Sequence, residues 1–351
     1  MPKLKHLDLE ISNPCNERCI HCYRTCKHTK QGFLSIEDVA KIFDEIKPIR
    51  ESHIDVVLTG GEALLNKEWR NILEFCISQN SRVSLFTNGS LINKDDVKFL
   101  AQFRDSPNFR EVQISLYSLS SEIHDAITGL KGSWKKTLDA IKMLKSEGVK
   151  VFVSSPVMQT NKDSIADLMR WMDSNDIRSC ADLLIFPNSD YQNRNISQKL
   201  NKKDFDVFYN KTAENNFELG YIWGFNRKRD NLLDTLFYAP AANGILVSGN
   251  GNIYPMIGWY EKLGNIHNDS LKAVFLKAPL LKKCRQIKIL DFRECCECEA
   301  IGYCSFCPTT HITANHGALM KLNQDYCEKV HLLKQMAERR DAEMRKMNRQ
   351  H

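Results

Sequence analysis

The sequence predicts an α/β fold: a partial (β/α)6 TIM-like barrel followed by a smaller, cysteine-rich C-terminal α+β domain. Three observations predict it. Strand-like apolar runs recur six times, each separated by a helical stretch, which is the rhythm of parallel strands joined by right-handed crossovers. Six units fall short of the usual eight, so the barrel is incomplete and closed by other material. A second group of cysteines, in "CCECEAIGYCSFCP", lies far downstream of that pattern.

The elements follow in order. Leu7, Leu9 and Ile11 alternate with His6, Asp8 and Glu10, the pattern of a half-buried strand that ends just before Cys15. "SIEDVAKIFDEI" opens with a capping box at Ser35 and Asp38 and puts Ile36, Val39, Ala40, Phe43 and Ile46 on one helical face. Further strands are expected at Ile54 to Leu58, Arg82 to Phe86, Glu111 to Leu116, Lys150 to Ser154 and Asp182 to Phe186. The expected organisation is a barrel over 1–220, a cysteine-rich domain over 235–330 and a C-terminal helix over 331–351.

Composition excludes several function classes. With 351 residues, 42% hydrophobic and 26% charged, the chain has ample material for a large core. No run of eighteen apolar residues occurs, and "MPKLKHLDLEIS" lacks the apolar stretch of a signal peptide, so the expectation is a cytoplasmic protein without a membrane span. Thirteen cysteines in a reducing compartment read as metal ligands or redox groups rather than disulfides. The net charge of +6 is diffuse, and the basic C-terminal stretch alternates in sign like a solvated helix, which argues against a nucleic-acid partner.

The chemistry-bearing residues collect at one end of the expected barrel. The cysteine loop follows strand one, "TGGEALL" strand two and "TNGS" strand three, while "SLYS" closes strand four. All four lie at C-terminal strand ends, where barrels build active sites. Taken singly, Gly60, Gly61 and Gly89 read as turn residues; their common location suggests more. Cys15, Cys19 and Cys22, spaced C-x3-C-x2-C, offer three thiolates from one loop. That is enough for three irons of a cubane, leaving the fourth open to a non-protein ligand. A zinc knuckle completed by Cys26 or His21 is the alternative. Downstream, Cys295, Cys298, Cys304, Cys307 and Cys327 have metal-site spacing that also suits a zinc ribbon.

The cluster loop with aromatic Tyr23 after its last cysteine, and the tripeptide Gly60-Gly61-Glu62, resemble the radical SAM superfamily. The resemblance implies a 4Fe–4S cluster on Cys15, Cys19 and Cys22, with S-adenosylmethionine chelating the open iron. It implies that Gly60, Gly61 and Glu62 hold the cofactor's ammonium, with Tyr23, Asn88 and Ser115 as further cofactor contacts. Reductive cleavage to a 5′-deoxyadenosyl radical and hydrogen abstraction from a substrate would follow. The second cysteine group resembles the SPASM extension of that superfamily, and by its pattern Cys295, Cys298, Cys304 and Cys327 ligate one auxiliary 4Fe–4S cluster.

Departures from the pattern are informative. Ala241 to Asn243 and Met256 stand where the extension usually has cysteines, so its first auxiliary cluster is expected to be absent. Cys307 is then spare, and with Cys296 it is a candidate hydrogen-atom donor; Cys180 and Cys284 are also unassigned, while Cys76 reads as packing. The resemblance implies a ribosomally synthesised precursor peptide as substrate, crosslinked or epimerised. The alternative is a dehydrogenase or epimerase acting on a carbohydrate or aminocyclitol. Expected partners are a separate leader-peptide-binding protein and an electron donor such as flavodoxin or ferredoxin.

Overall fold

The computed structural model describes residues 1–24, 31–181, 183–213 and 230–347. In chain order the barrel half comprises β1 (Leu4–Ser12), α1 (Ile36–Ile46), β2 (Arg50–Gly60), α2 (Trp69–Ser78), β3 (Ser81–Thr87), α3 (Lys94–Ala101) and β4 (Phe109–Ser115). It continues through α4 (Ser121–Thr128), α5 (Ser133–Ser146), β5 (Val151–Ser154), α6 (Ile165–Ser174), β6 (Arg178–Cys180) and α7 (Lys202–Ala213). The C-terminal part adds β7 (Gly244–Val247), β8 (Asn252–Tyr254) and β9 (Gly264–Asn265), several short helices, and a long helix, Gln324–Met347.

The helix starts follow local chemistry. Ser35 accepts from Asp38 N while the Asp38 carboxylate accepts from Ser35 N, closing the expected capping box on α1. Asn93 and Asp96 form the same reciprocal cap on α3. Val39, Ile42, Phe43 and Ile46 of α1 are buried and pack with Leu7, Leu9 and Ile11 in one large apolar core between strands and helices.

All nine strands belong to one sheet, ordered β6-β5-β4-β3-β2-β1-β7-β8-β9. Pairings from β6 to β1 are parallel. Among the described residues the sheet is open, with β6 and β9 at its edges. The C-terminal part joins the barrel directly: β7 pairs parallel to β1, with His6 opposite Gly244 and Leu9 opposite Val247, and β8 and β9 extend it antiparallel.

Three sequence expectations change. First, β1 is buried on both faces: Asp8 is 3% and Glu10 1% exposed. An alternating strand at the middle of a curved parallel sheet turns its polar face into the barrel interior rather than to solvent. Second, the sixth strand is Arg178–Cys180, and residues 183–186 of the expected strand are irregular; Asp182 lies outside the described residues. Third, the C-terminal helix begins at Gln324 rather than 331, so it carries Cys327 in its first turn. Residue 220 and residues 348–351 of the expected boundaries lie outside the described part.

Candidate functional site

The loops after β1, β2, β3 and β4 meet around a cavity of about 260 Å³. Cys15, Cys19, Cys22 and Tyr23 line it from the first loop, Gly60 and Gly61 from the second, Asn88 from the third, and Ser115 and Tyr117 from the end of β4. The structure therefore brings together Cys15, Cys19, Cys22, Tyr23, Gly60, Gly61, Asn88 and Ser115, while Glu62 and Gly89 are not in the lining.

The cysteine loop is held from four directions. Gly61 N donates to Ser12 O (2.7 Å) and Glu62 N to Pro14 O (2.8 Å), stitching the glycine motif to the residues just before Cys15. A side chain at Gly61 has no room there: a Cβ would lie 2.2 Å from Pro14 O. Arg18 N and Ile20 N donate to Thr128 O (2.7 Å) and Ile127 O (2.9 Å) at the end of α4, so the loop satisfies terminal carbonyls of that helix. Asn88 Nδ2 donates to Asn16 Oδ1 (2.8 Å), and Asn16 Nδ2 donates to Ser90 Oγ (2.8 Å), tying in the third loop. On the last side, Asn188 Nδ2 donates to Cys22 O (3.0 Å), Asn195 Nδ2 to His21 O (2.9 Å) and Ser189 N to Tyr23 O (2.7 Å). Cys26 lies outside the described residues.

Glu62 is engaged through its carboxylate by its own and the third loop. It is 1% exposed, and its carboxylate accepts from Thr87 Oγ1 (2.6 Å), Asn88 N (2.8 Å) and Leu64 N (3.0 Å). Burial pushes its pKa upward, while those three donors pull it back. The side chain clamps the second loop to the third.

Pattern reading passed over a buried charged group beside the cavity. Arg24, 4% exposed and part of the lining, is ion-paired with Glu10 on β1. Glu10 Oε1 also accepts from Tyr260 Oη (2.5 Å), and the Tyr23 ring lies 6.4 Å from that of Tyr260 and 6.1 Å from Phe186. Burial raises the Glu10 pKa despite the Arg24 charge that opposes it. The available signal was a polar residue on the inward-facing register of a barrel strand. Residues 184–186, expected in a strand, instead line the cavity.

The donor set fits a cationic iron–sulfur group. Burial pushes the Cys15 thiol up to about 12 and Cys19 well above the usual range, and the nearby Glu17 and neighbouring thiols push the same way. Such thiols stay neutral unless a metal supplies positive charge, which deprotonates them outright. Among the described residues no three His, Cys, Asp or Glu side chains converge as a site for a single ion. The three thiols share a cavity wall, an arrangement suited to ligands on separate irons.

A second cavity, about 370 Å³, is lined by Cys295, Cys298, Cys304 and Cys327, the four residues grouped from the sequence. Burial pushes Cys295 up to about 12 and Cys327 up to about 11, with the other thiols of the group adding to both. His331, one turn beyond Cys327, places Nε2 3.6 Å from Cys298 Sγ. Cys307 lines neither cavity; it packs with Cys298 and Cys304 against Ala300, Tyr326 and Val330. Leu184 touches that same patch and also lines the first cavity. Cys296 lines neither cavity, and its thiol donates to Leu290 O (3.3 Å). Where the extension usually has further cysteines, Ala241 and Ala242 are fully buried, and Ala241 and Met256 belong to the apolar packing around Phe237, Tyr238 and Trp259. Cys76 is buried in the main core, as expected.

The open parallel barrel is a fold shared with solved structures. The chain superimposes on anSMEcpe bound to AdoMet and a peptide with TM-score 0.72 and 22% identity, covering 97% of this chain and 98% of that one. Streptococcus suis SuiB bound to S-adenosylmethionine gives TM-score 0.68 and 18% identity over 93% of this chain and 77% of that one. Residues 9–172 match the Radical SAM superfamily. That segment is a radical SAM domain, a type of domain that works with a 4Fe–4S cluster and S-adenosylmethionine. The antilisterial bacteriocin subtilosin biosynthesis protein AlbA of Bacillus subtilis is 27% identical over 338 residues, 90% of this chain and 69% of AlbA. The sporulation killing factor maturation protein SkfB of the same organism is 27% identical over 46% of this chain and 38% of its own length. No helix among the described residues is long and apolar enough to cross a membrane.

Proposed function

We propose that the protein modifies a ribosomally synthesised precursor peptide, installing a crosslink or inverting a residue. The observation that carries this reading is a pair of thiol-lined cavities linked through Leu184, which lines the first and packs on the cluster of Ala300, Tyr326 and Val330, the last two of which line the second. Similarity to the subtilosin biosynthesis protein over 90% of the chain supports the substrate class.

In this scheme Cys15, Cys19 and Cys22 hold the radical-generating cluster, and Cys295, Cys298, Cys304 and Cys327 an auxiliary one. Cluster and S-adenosylmethionine, when bound, supply one-electron reductive cleavage and hydrogen-atom abstraction. The chain's own residues position and enclose. Gly60 and Gly61, in the cavity lining, would present backbone to the methionyl end, and Asn88 and Ser115 would offer it polar contacts. Tyr23 and Phe186 wall the cavity against water. Glu62 fixes the register of the second and third loops. Cys307, on the patch that Leu184 covers, is the candidate hydrogen-atom donor of the two suggested by sequence; the Cys296 thiol is directed to Leu290 O.

The test has two parts. Anaerobically reconstituted protein should hold about eight irons, falling to about four when Cys15, Cys19 and Cys22 are all replaced by Ala. With reductant, S-adenosylmethionine and peptides encoded beside its gene, the parent should produce either a mass loss equal to the hydrogens removed by a crosslink, or a D-residue at unchanged mass. Cofactor cleavage that persists in Cys19→Ala, or modification of a sugar in place of any such peptide, would overturn the reading.

A further inference from the structure

We propose that Glu17 is a cofactor-binding residue, its carboxylate receiving the α-ammonium of S-adenosylmethionine inside the barrel cavity. The inference rests on the cofactor reading above and concerns a residue that no motif brought forward.

Glu17 sits on the cluster loop between Cys15 and Cys19, 2% exposed, with its side chain in the cavity lining. Its backbone is fixed, since Glu17 N donates to Cys15 Sγ (3.4 Å). Oε1 is buried without a hydrogen-bond partner. Oε2 has the Cys19 thiol as a donor at 3.5 Å, and a thiolate on iron has no proton to give. Once the cluster is in place, that donor is lost to the carboxylate.

Two neighbours narrow the choice of occupant. Glu62 is the charge that Glu17 feels most strongly, and its oxygens are already met by Thr87 Oγ1, Asn88 N and Leu64 N. Arg24, the guanidinium in the lining, is paired with Glu10. A buried carboxylate in the cavity lining with one oxygen unmet, near a second whose oxygens already accept from their own loops, makes a site for a small cation carrying N–H donors. The cofactor brings a primary ammonium, and Gly60 and Gly61, on the same cavity, are the backbone to which the resemblance assigns it. The division of labour differs from the one expected from the glycine motif: Glu62 braces the loops and Glu17 supplies the charge.

The experiment compares cluster-loaded parent and Glu17→Gln by equilibrium binding, with two probes: S-adenosylmethionine, and an analogue lacking the amino group. Iron content and the EPR spectrum of the reduced cluster, before and after each probe, accompany the measurement. Glu17→Gln should weaken S-adenosylmethionine about ten-fold or more and leave the analogue's affinity unchanged. Unchanged affinity for S-adenosylmethionine would overturn the proposal, and so would equal weakening of both probes, which signals a disturbed loop. Should Glu17→Gln load no cluster, Glu17→Asp keeps the charge and must still prefer S-adenosylmethionine over the analogue; equal binding of the two refutes the role. A parent that holds iron yet binds neither probe would instead sink the cofactor reading beneath it.

Discussion

Replacing Gly61 by Ala should remove one cluster and leave the other. The added Cβ would lie 2.2 Å from Pro14 O and 2.5 Å from Asn13 O, where carbon and oxygen ordinarily approach no closer than about 3.3 Å. Relief requires the loop before Cys15 to move by roughly 1 Å. The same loop is held by Gly61 N to Ser12 O at 2.7 Å and Glu62 N to Pro14 O at 2.8 Å, and such a shift takes both past the useful hydrogen-bond range. Two buried N–H groups left unmet cost roughly 2–6 kcal/mol together, and a ligand-bearing loop tolerates only about 0.5 Å of misplacement. The assay is iron and sulfide content with S-adenosylmethionine affinity after anaerobic reconstitution. About eight irons should fall to about four, with the downstream cavity, whose lining holds no residue of this loop, serving as an internal control for folding. Parent-like iron and affinity would refute the reasoning, and loss of all iron would mean that the stitch supports more than the loop.

Two further outcomes follow from buried polar groups. Glu62→Gln puts an amide N–H₂ against Thr87 Oγ1 or Asn88 N, where the carboxylate accepts from both; thermal unfolding should report a loss of about 2–4 kcal/mol, and a parent-like melting temperature would deny the clamp. His311 is held neutral, with Nδ1 accepting from Asn323 N (2.8 Å) and burial lowering its pKa to about 4. The unfolded chain takes up the proton first, so the stability due to this histidine is present above its ordinary value of 6.5 and is lost as pH falls from there toward 4. Between pH 7 and 5.5 the parent should lose about 1 kcal/mol relative to His311→Asn in urea unfolding, and a gap that does not narrow would show that the ring is not kept neutral by the fold.

How much of this was legible beforehand depends on the range of the interaction concerned. The β–α rhythm, the capping box at Ser35 and Asp38 and the first five strands could be read from sequence, because periodicity and capping act within a few residues. Both cysteine groups were legible too, since ligand spacing within one loop is local, and each group lines one cavity. Helix Gln324–Met347 brings Cys327 to that group across a gap that spacing alone could not close.

What only the tertiary structure decided involves partners far apart in the chain. Asp8 and Glu10 look solvent-facing by alternation, yet a strand with neighbours on both sides turns them inward, where Glu10 meets Arg24 and Tyr260. Glu62 belongs to a motif that the family resemblance assigns to the cofactor, and it is the approach of Thr87 and Asn88 that engages its oxygens. Glu17 reads as filler between two cysteines, and only the closing of four loops around it leaves a buried carboxylate oxygen without a donor. Sequence by itself determined which residues could do chemistry. The packing of distant strand ends determined which of them face the cavity and which hold it together, because burial and hydrogen-bond saturation depend on the whole fold.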